Sequence, residues 1–198
     1  MKRILNIVIV SCICTNAFSQ DATLTRQHIR LPEFGISFFY NDFETARKIR
    51  NTSLSTVLRK GDHATFNQMD AGVAVSFFKG LTKHVDLSMS LAGSTADYFV
   101  SEQAMSGNLL LEADASLNLK LLTEQFWFTP YATIGAGASK YGGYFGAFVP
   151  MGLGLQINIL DQAHFFVSSQ YRVPVTTSTS NYHFMHAIGI AGMLGRKD

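Results

Sequence analysis

Eight stretches of the chain alternate apolar and polar residues with a period of two, the pattern of strands whose side chains point in turn to opposite faces. The cleanest is Asn108–Lys120, NLLLEADASLNLK. Here Leu109, Leu111, Ala113, Ala115, Leu117 and Leu119 share one parity, and Glu112, Asp114, Ser116, Asn118 and Lys120 share the other. Val85–Ala92 sets Val85, Leu87, Met89 and Leu91 against Asp86, Ser88, Ser90 and Ala92, and the strand extends to about Asp97. The same reading predicts strands over Glu33–Tyr40, Phe66–Phe78, Phe126–Tyr141, Val149–Ile159, Phe165–Val173 and His183–Leu194.

The period alone does not say which face is inside. A soluble sandwich buries the apolar parity, and a membrane barrel turns it to lipid. The connections favour the barrel. Residues 79–84, 121–125 and 160–163 make short turns, whereas 42–65, 99–107 and 174–182 make longer polar loops, with Gly142-Gly143-Tyr144 a tight exception. Short turns at one end and long loops at the other are the habit of outer-membrane barrels. Aromatics gather near both ends: Phe77, Phe78, Phe126, Trp127, Phe128, Phe165 and Phe166 at the short turns, and Phe38, Tyr40, Phe43, Tyr98, Tyr141, Tyr171, Tyr182 and Phe184 at the long loops. Two such belts match interfacial girdles. The charges decide the matter. No Asp, Glu, Lys or Arg stands mid-strand on the apolar parity, and Asp70, Asp86, Glu112, Asp114, Lys120 and Arg172 all stand on the other. The expected fold is an all-β, eight-stranded, antiparallel up-and-down transmembrane β-barrel, with Leu87 and its partners toward lipid and Asp86 and Ser88 toward the lumen.

Composition adds the compartment. Lys2 and Arg3, the apolar run Ile4–Ile13 and the small residues around Ala17-Phe18-Ser19 have the three parts of a secretory signal, so residues 1–19 are expected to be cleaved. Ile9-Val10-Ser11-Cys12 loosely resembles a lipoprotein processing box, but the apolar region before it is very short and plain cleavage is the expectation. Both cysteines, Cys12 and Cys14, then leave with the signal, and the Cys-x-Cys pair is neither a disulfide nor a metal site. Sixteen basic residues less Lys2 and Arg3 leave fourteen against fourteen acidic ones, so no basic stripe for nucleic acid remains. No other stretch is long and apolar enough for a spanning helix. Residues 20–198 make one domain.

The mature region resembles the small eight-stranded outer-membrane barrels, of the OmpX type or the transmembrane domain of the OmpA type. The segments that carry this are Thr129-Pro130-Tyr131 with Gly135-Ala136-Gly137, Gly152-Leu153-Gly154-Leu155-Gln156, and His186-Ala187-Ile188-Gly189-Ile190. The resemblance implies the outer membrane, contact with its lipid and lipopolysaccharide, and passage through the outer-membrane assembly machinery. Such barrels usually end on an aromatic residue that this machinery reads, and Met193-Leu194-Gly195-Arg196-Lys197-Asp198 departs from that. No peptidoglycan-binding domain is expected after the eighth strand.

The candidate chemistry is modest. Eight strands enclose an interior that side chains can fill. Trp127, Tyr131, Gln156, Gln170 and Arg172 are expected inside, with Asp70, Glu112 and Asp114 pairing with Lys120 and Arg172 as a lumen charge network. A proton or small-ion path through these charges is the lesser reading. A lipid hydrolase would need a serine, a histidine and an acid near the rim. His183 has the right parity, and Ser178 and Ser180 precede it, but no Gly-x-Ser-x-Gly surrounds a serine and the expectation is no enzyme. His183 and His186, three apart on a strand, face opposite sides and make no joint metal site. His28, His63, His84 and His164 carry no signal alone. No cofactor is expected. The expected working surface is the loop 42–65, where Arg47, Lys48, Arg50, Arg59 and Lys60 offer charge-assisted hydrogen bonds to lipopolysaccharide phosphates. The expected protein is a monomeric structural or surface-interaction barrel, with a narrow channel for small apolar molecules or an outer-membrane lipid hydrolase as the alternatives.

Overall fold

The computed structural model describes residues 29–100, 103–123, 126–159 and 163–193, the side chains of 97–100 and 103–108 excepted. The expected signal peptide 1–19, His28, Leu194 and the four residues after it lie outside them. Eight strands follow in order: β1 (Glu33–Asp42), β2 (Asp70–Gly80), β3 (Val85–Val100), β4 (Gln103–Lys120), β5 (Phe128–Tyr141), β6 (Tyr144–Ile159), β7 (Ala163–Pro174) and β8 (His183–Met193). Each pairs antiparallel with its neighbours in sequence, and β1 closes on β8 from Glu33↔Met193 to Asp42↔Phe184. The fold is the expected all-β up-and-down barrel. Closure leaves no free sheet edge, which is what allows strands to sit in hydrocarbon.

Parity sets the two faces as the alternation predicts. On β1, Phe34, Ile36 and Phe38 are more than half exposed, while Glu33, Ser37 and Phe39 are buried. On β4, Leu109, Leu111, Leu117 and Leu119 face out, and Glu112, Asp114, Ser116, Asn118 and Lys120 are buried within. In water such an outer wall would be a heavy hydrophobic liability; in lipid it is solvated. Glycine makes room inside. Tyr131 pairs opposite Gly154, and a Cβ at Gly154 would lie 2.2 Å from the Tyr131 ring, so the Gly-Leu-Gly segment of β6 is what admits an inward tyrosine. Gly142 and Gly143, with φ of 54° and 91°, form the two-residue turn that lets Tyr141 pair with Tyr144. This turn starts β6 at Tyr144 instead of Val149.

Other expectations need correction. Residues 66–68 are not strand: Phe66–Gln68 form a 3₁₀ turn in which the Thr65 N–H and hydroxyl donate to Gln68 Oε1, and β2 starts at Asp70. The expected loop 99–107 is largely strand, because β3 and β4 keep pairing past a bulge near Ala96 out to Val100↔Gln103. The aromatic belts are thinner than the sequence implies. Phe77-Phe78 and Phe165-Phe166 are consecutive pairs, so one ring of each must face inward; Phe78 and Phe166 are buried there, as is Tyr141, whose hydroxyl donates to the Ala96 carbonyl at 2.6 Å. Trp127 is 68% exposed and is not lumen filler, since it precedes β5.

The connection 42–65 is folded, and not an extended loop. Helix α1 (Phe43–Asn51) begins where Asp42 caps the Thr45 N–H at 2.8 Å, with Glu44 in its first turn and Lys48 and Arg50 in its last, each suited to the helix dipole. Helix α2 (Leu54–Lys60) is capped by Ser53 and stopped by Gly61 at φ 64°. Ala46, Val57 and Ala64 are buried, and α1 packs on β8.

Candidate functional site

Among the described residues the lumen holds two buried ionic clusters. The first lies toward the long-loop end, where Glu112 and Asp114, two apart on β4, project inward together. Such a pair is tolerable in a confined interior only beside a cation. Arg172 reaches them from β7: Nη1 lies 2.6 Å from Glu112 Oε2, and Nη2 lies 3.2 Å from Asp114 Oδ2. The guanidinium also sits 4.8 Å from the centre of the Phe148 ring, a cation–π contact. Ser90 and Ser116 donate to Asp114 at 2.5 and 3.2 Å. His183 Nε2 is 3.4 Å from Glu112 Oε1, and its Nδ1 donates to the Asn181 carbonyl at 3.1 Å. Phe43, the first residue of α1, packs on the His183 ring at 4.6 Å, so the helix is seated on this cluster.

The second cluster closes the short-turn end. Asp86 is held between Lys120 Nζ at 2.8 Å and Arg30 Nη1 at 3.1 Å. Arg30 Nε lies 3.9 Å from Glu33, whose other oxygen is 2.6 Å from His164 Nδ1. Phe78 and Phe166 meet edge to face at 5.4 Å beside them. The Arg30 carbonyl accepts from the Gly80 N–H at 3.1 Å and so fixes the segment before β1 across the barrel end.

The expected network is thus divided. Glu112, Asp114 and Arg172 join as expected, but Lys120 serves Asp86 and not those carboxylates, because it lies near the far end of β4. Asp70 heads β2 at the long-loop mouth and lines the cavity there. Arg30, Glu33 and His164 were missed. Glu33 and His164 do stand on the inward parity of their strands, a signal that could have found them; Arg30 precedes β1, where no alternation can place it.

The five loop cations do not form one patch. Arg47 donates to Glu44 through Nε and Nη2 at 2.7–3.0 Å. Lys48 binds Asp62 at 2.7 Å and lies 3.6 Å from Glu44. This hydrogen bond raises the Lys48 ammonium above its ordinary pKa and lowers the Asp62 carboxyl below its own. Their contact is therefore retained over the whole neutral range, lost only in acid below the usual carboxylate range or in strong alkali. Arg50 lies over the Tyr182 ring at 3.8 Å, and Arg59 and Lys60 end α2 exposed to solvent. Between α1, the 3₁₀ turn, Asp70 and Asn181-Tyr182 opens a cavity of about 840 Å³.

For a hydrolase the geometry offers little. His183 Nδ1 is held by the Asn181 carbonyl and Nε2 faces Glu112 at 3.4 Å, Ser180 accepts from Ser139 at 3.4 Å, and Ser178 is exposed. His186, on the other face of β8, stacks on Phe184 at 5.9 Å. Among the described residues no group of three or more His, Cys, Asp or Glu could hold a metal ion.

A closed barrel with an apolar outer wall and a charged, buried interior is a transmembrane β-barrel. Its particular fold is that of the eight-stranded outer-membrane barrels. The outer membrane protein OprG from Pseudomonas aeruginosa superposes with a TM-score of 0.55 at 11% identity, over 83% of this chain and 96% of that one. The N-terminal β-barrel domain of Pseudomonas aeruginosa OprF gives 0.50 at 14% identity, over 81% and 96%. At such identities the likeness is one of fold. No family model and no curated protein matches the sequence.

Proposed function

We propose that this chain is a monomeric, non-catalytic outer-membrane protein whose barrel is a sealed support and whose working surface is the folded β1–β2 connection. The observation that carries this reading is the contrast between the two ends. Hairpins need only two to five residues, yet this connection contains two capped helices, α1 docked on β8 and α2 on α1, above a lumen filled with ion pairs. Lipopolysaccharide or another surface partner would meet it from outside. Arg59 and Lys60, exposed at the end of α2, supply cations for phosphate; Arg47 and Lys48, already paired within the connection, supply shape more than charge. Insertion would run through the outer-membrane assembly machinery.

The test is replacement of residues 43–65 by an Asn-Gly turn. Assembly is expected to persist, seen as a barrel whose gel mobility changes on boiling, while salt-sensitive binding to lipopolysaccharide falls. Full binding by the shortened protein would refute the reading.

A narrow channel for small apolar molecules is the second reading, and the charged lumen speaks against it. In planar bilayers the protein is expected to show no long-lived opening of porin size, and Arg172→Ala is expected to introduce brief ones. Large stable openings of the unaltered protein would favour the channel.

A further inference from the structure

We propose that the cavity at the long-loop mouth binds a saccharide unit bearing one acidic group, with Arg50, laid on Tyr182, as the residue that recognises the acid. This rests on the reading of the β1–β2 connection as the working surface and names what that surface takes. The cavity, at about 840 Å³, falls in the ~300–1,000 Å³ range of small-ligand sites.

Its chemistry selects the ligand class. Arg47 also lines the cavity, but Glu44 holds its guanidinium. Arg50 is different: among the described residues it pairs with no carboxylate, and its only partner is the face of Tyr182. A guanidinium stacked in this way keeps its N–H edges for a planar or tetrahedral oxyanion. The side-chain amides of Asn51 and Asn67 line the same space with no hydrogen-bond partner among the described residues, and each offers a donor and an acceptor. Paired donors and acceptors suit vicinal hydroxyls. An apolar ligand would strip water from these groups without replacing it. A polyphosphate would meet the carboxylates of Glu44 and Asp70. What remains is a hydroxyl-rich ligand with a single negative charge.

The acid could belong to a free oligosaccharide or to a lipid-linked glycan, and the experiment separates the two. The full chain, folded in detergent micelles, is titrated calorimetrically with a disaccharide of glucuronate and N-acetylglucosamine. The neutral disaccharide of N-acetylglucosamine and inorganic phosphate are titrated alongside. The uronate disaccharide is expected to bind about tenfold more tightly than the neutral one, the gain of one charge-assisted contact, and phosphate alone to bind negligibly. Arg50→Gln is expected to abolish that preference while leaving the neutral sugar unaffected. Tyr182→Ala, which removes the platform that orients Arg50, is expected to weaken the uronate disaccharide and so reduce the preference, and Lys83→Gln at the opposite end to change neither sugar. Boiling-sensitive gel mobility verifies that each variant is folded.

Competition by lipopolysaccharide in nanodiscs would support the lipid-linked source, and its failure to compete the free one. Absence of saccharide binding by folded protein at millimolar concentration would overturn the proposal, as would an unchanged preference in Arg50→Gln or equal binding of phosphate. If saccharides fail while replacement of 43–65 still abolishes lipopolysaccharide binding, this inference alone falls.

Discussion

Arg172→Met is expected to destabilise the barrel by roughly 3–5 kcal/mol, the cost of leaving buried charge without its partner. Arg172 is 1% exposed, and it is the arginine that meets both Glu112 and Asp114. Methionine has a similar stem and fills most of the space, so the loss is electrostatic more than steric. Ser90, Ser116 and His183 remain to the carboxylates, but none of them supplies a permanent charge. The measurement is the urea midpoint of unfolding from lipid vesicles. Adding Glu112→Gln and Asp114→Asn to Arg172→Met is expected to restore much of the stability, because a buried ion group replaced whole is often close to neutral. A single variant as stable as the parent would show that the cluster is hydrated and the lumen open.

Leu153→Arg is expected to cost roughly 2–4 kcal/mol by the same measurement, since it sets a cation on the lipid face near the middle of β6. Leu153 is 70% exposed between two glycines, so neither crowding nor loss of packing explains a penalty there. Leu153→Phe is expected to be tolerated. Leu111→Arg belongs at the lower end of that range or below: Leu111 pairs with Lys140, an outward lysine near the long-loop end, where a long cation reaches water. Inward parity does not make Ser116→Arg mild. Ser116 is 2% exposed, and a Cβ at Gly135 would lie 2.3 Å from its hydroxyl, so arginine there overpacks a full interior.

How much the sequence revealed follows from the range of each interaction. Strands and faces were legible because alternation is local: Leu109 to Lys120 declare their two sides without reference to any other segment. Partners across the lumen were not. Asp114 and Arg172 are 58 residues apart, and nothing in either strand says whether Lys120 or Arg172 meets the β4 carboxylates until register fixes their heights. Arg30 lies outside the alternation altogether. The helices over the mouth left a fainter trace. Asp42 and Ser53 are N-cap residues and Gly61 a C-terminal stop, yet nine- and seven-residue helices carry little periodicity, so polar composition dominated. In the candidate site, the loop cations were visible as a group, but which of them is neutralised depends on Glu44 and Asp62 folding back, and the stacking of Arg50 on Tyr182 joins two distant connections.

The central claim, that the apolar parity meets lipid and the polar parity fills the interior, is tested most directly on β4. Nitroxide labels placed singly from Leu109 to Lys120 in the membrane-inserted protein are scanned for collision with lipid-soluble oxygen and with a water-soluble nickel chelate. The account predicts oxygen maxima at Leu109, Leu111, Ala113, Ala115, Leu117 and Leu119, with both reagents excluded at the positions between. Maxima on the opposite parity, or nickel accessibility along the leucine face, would contradict it.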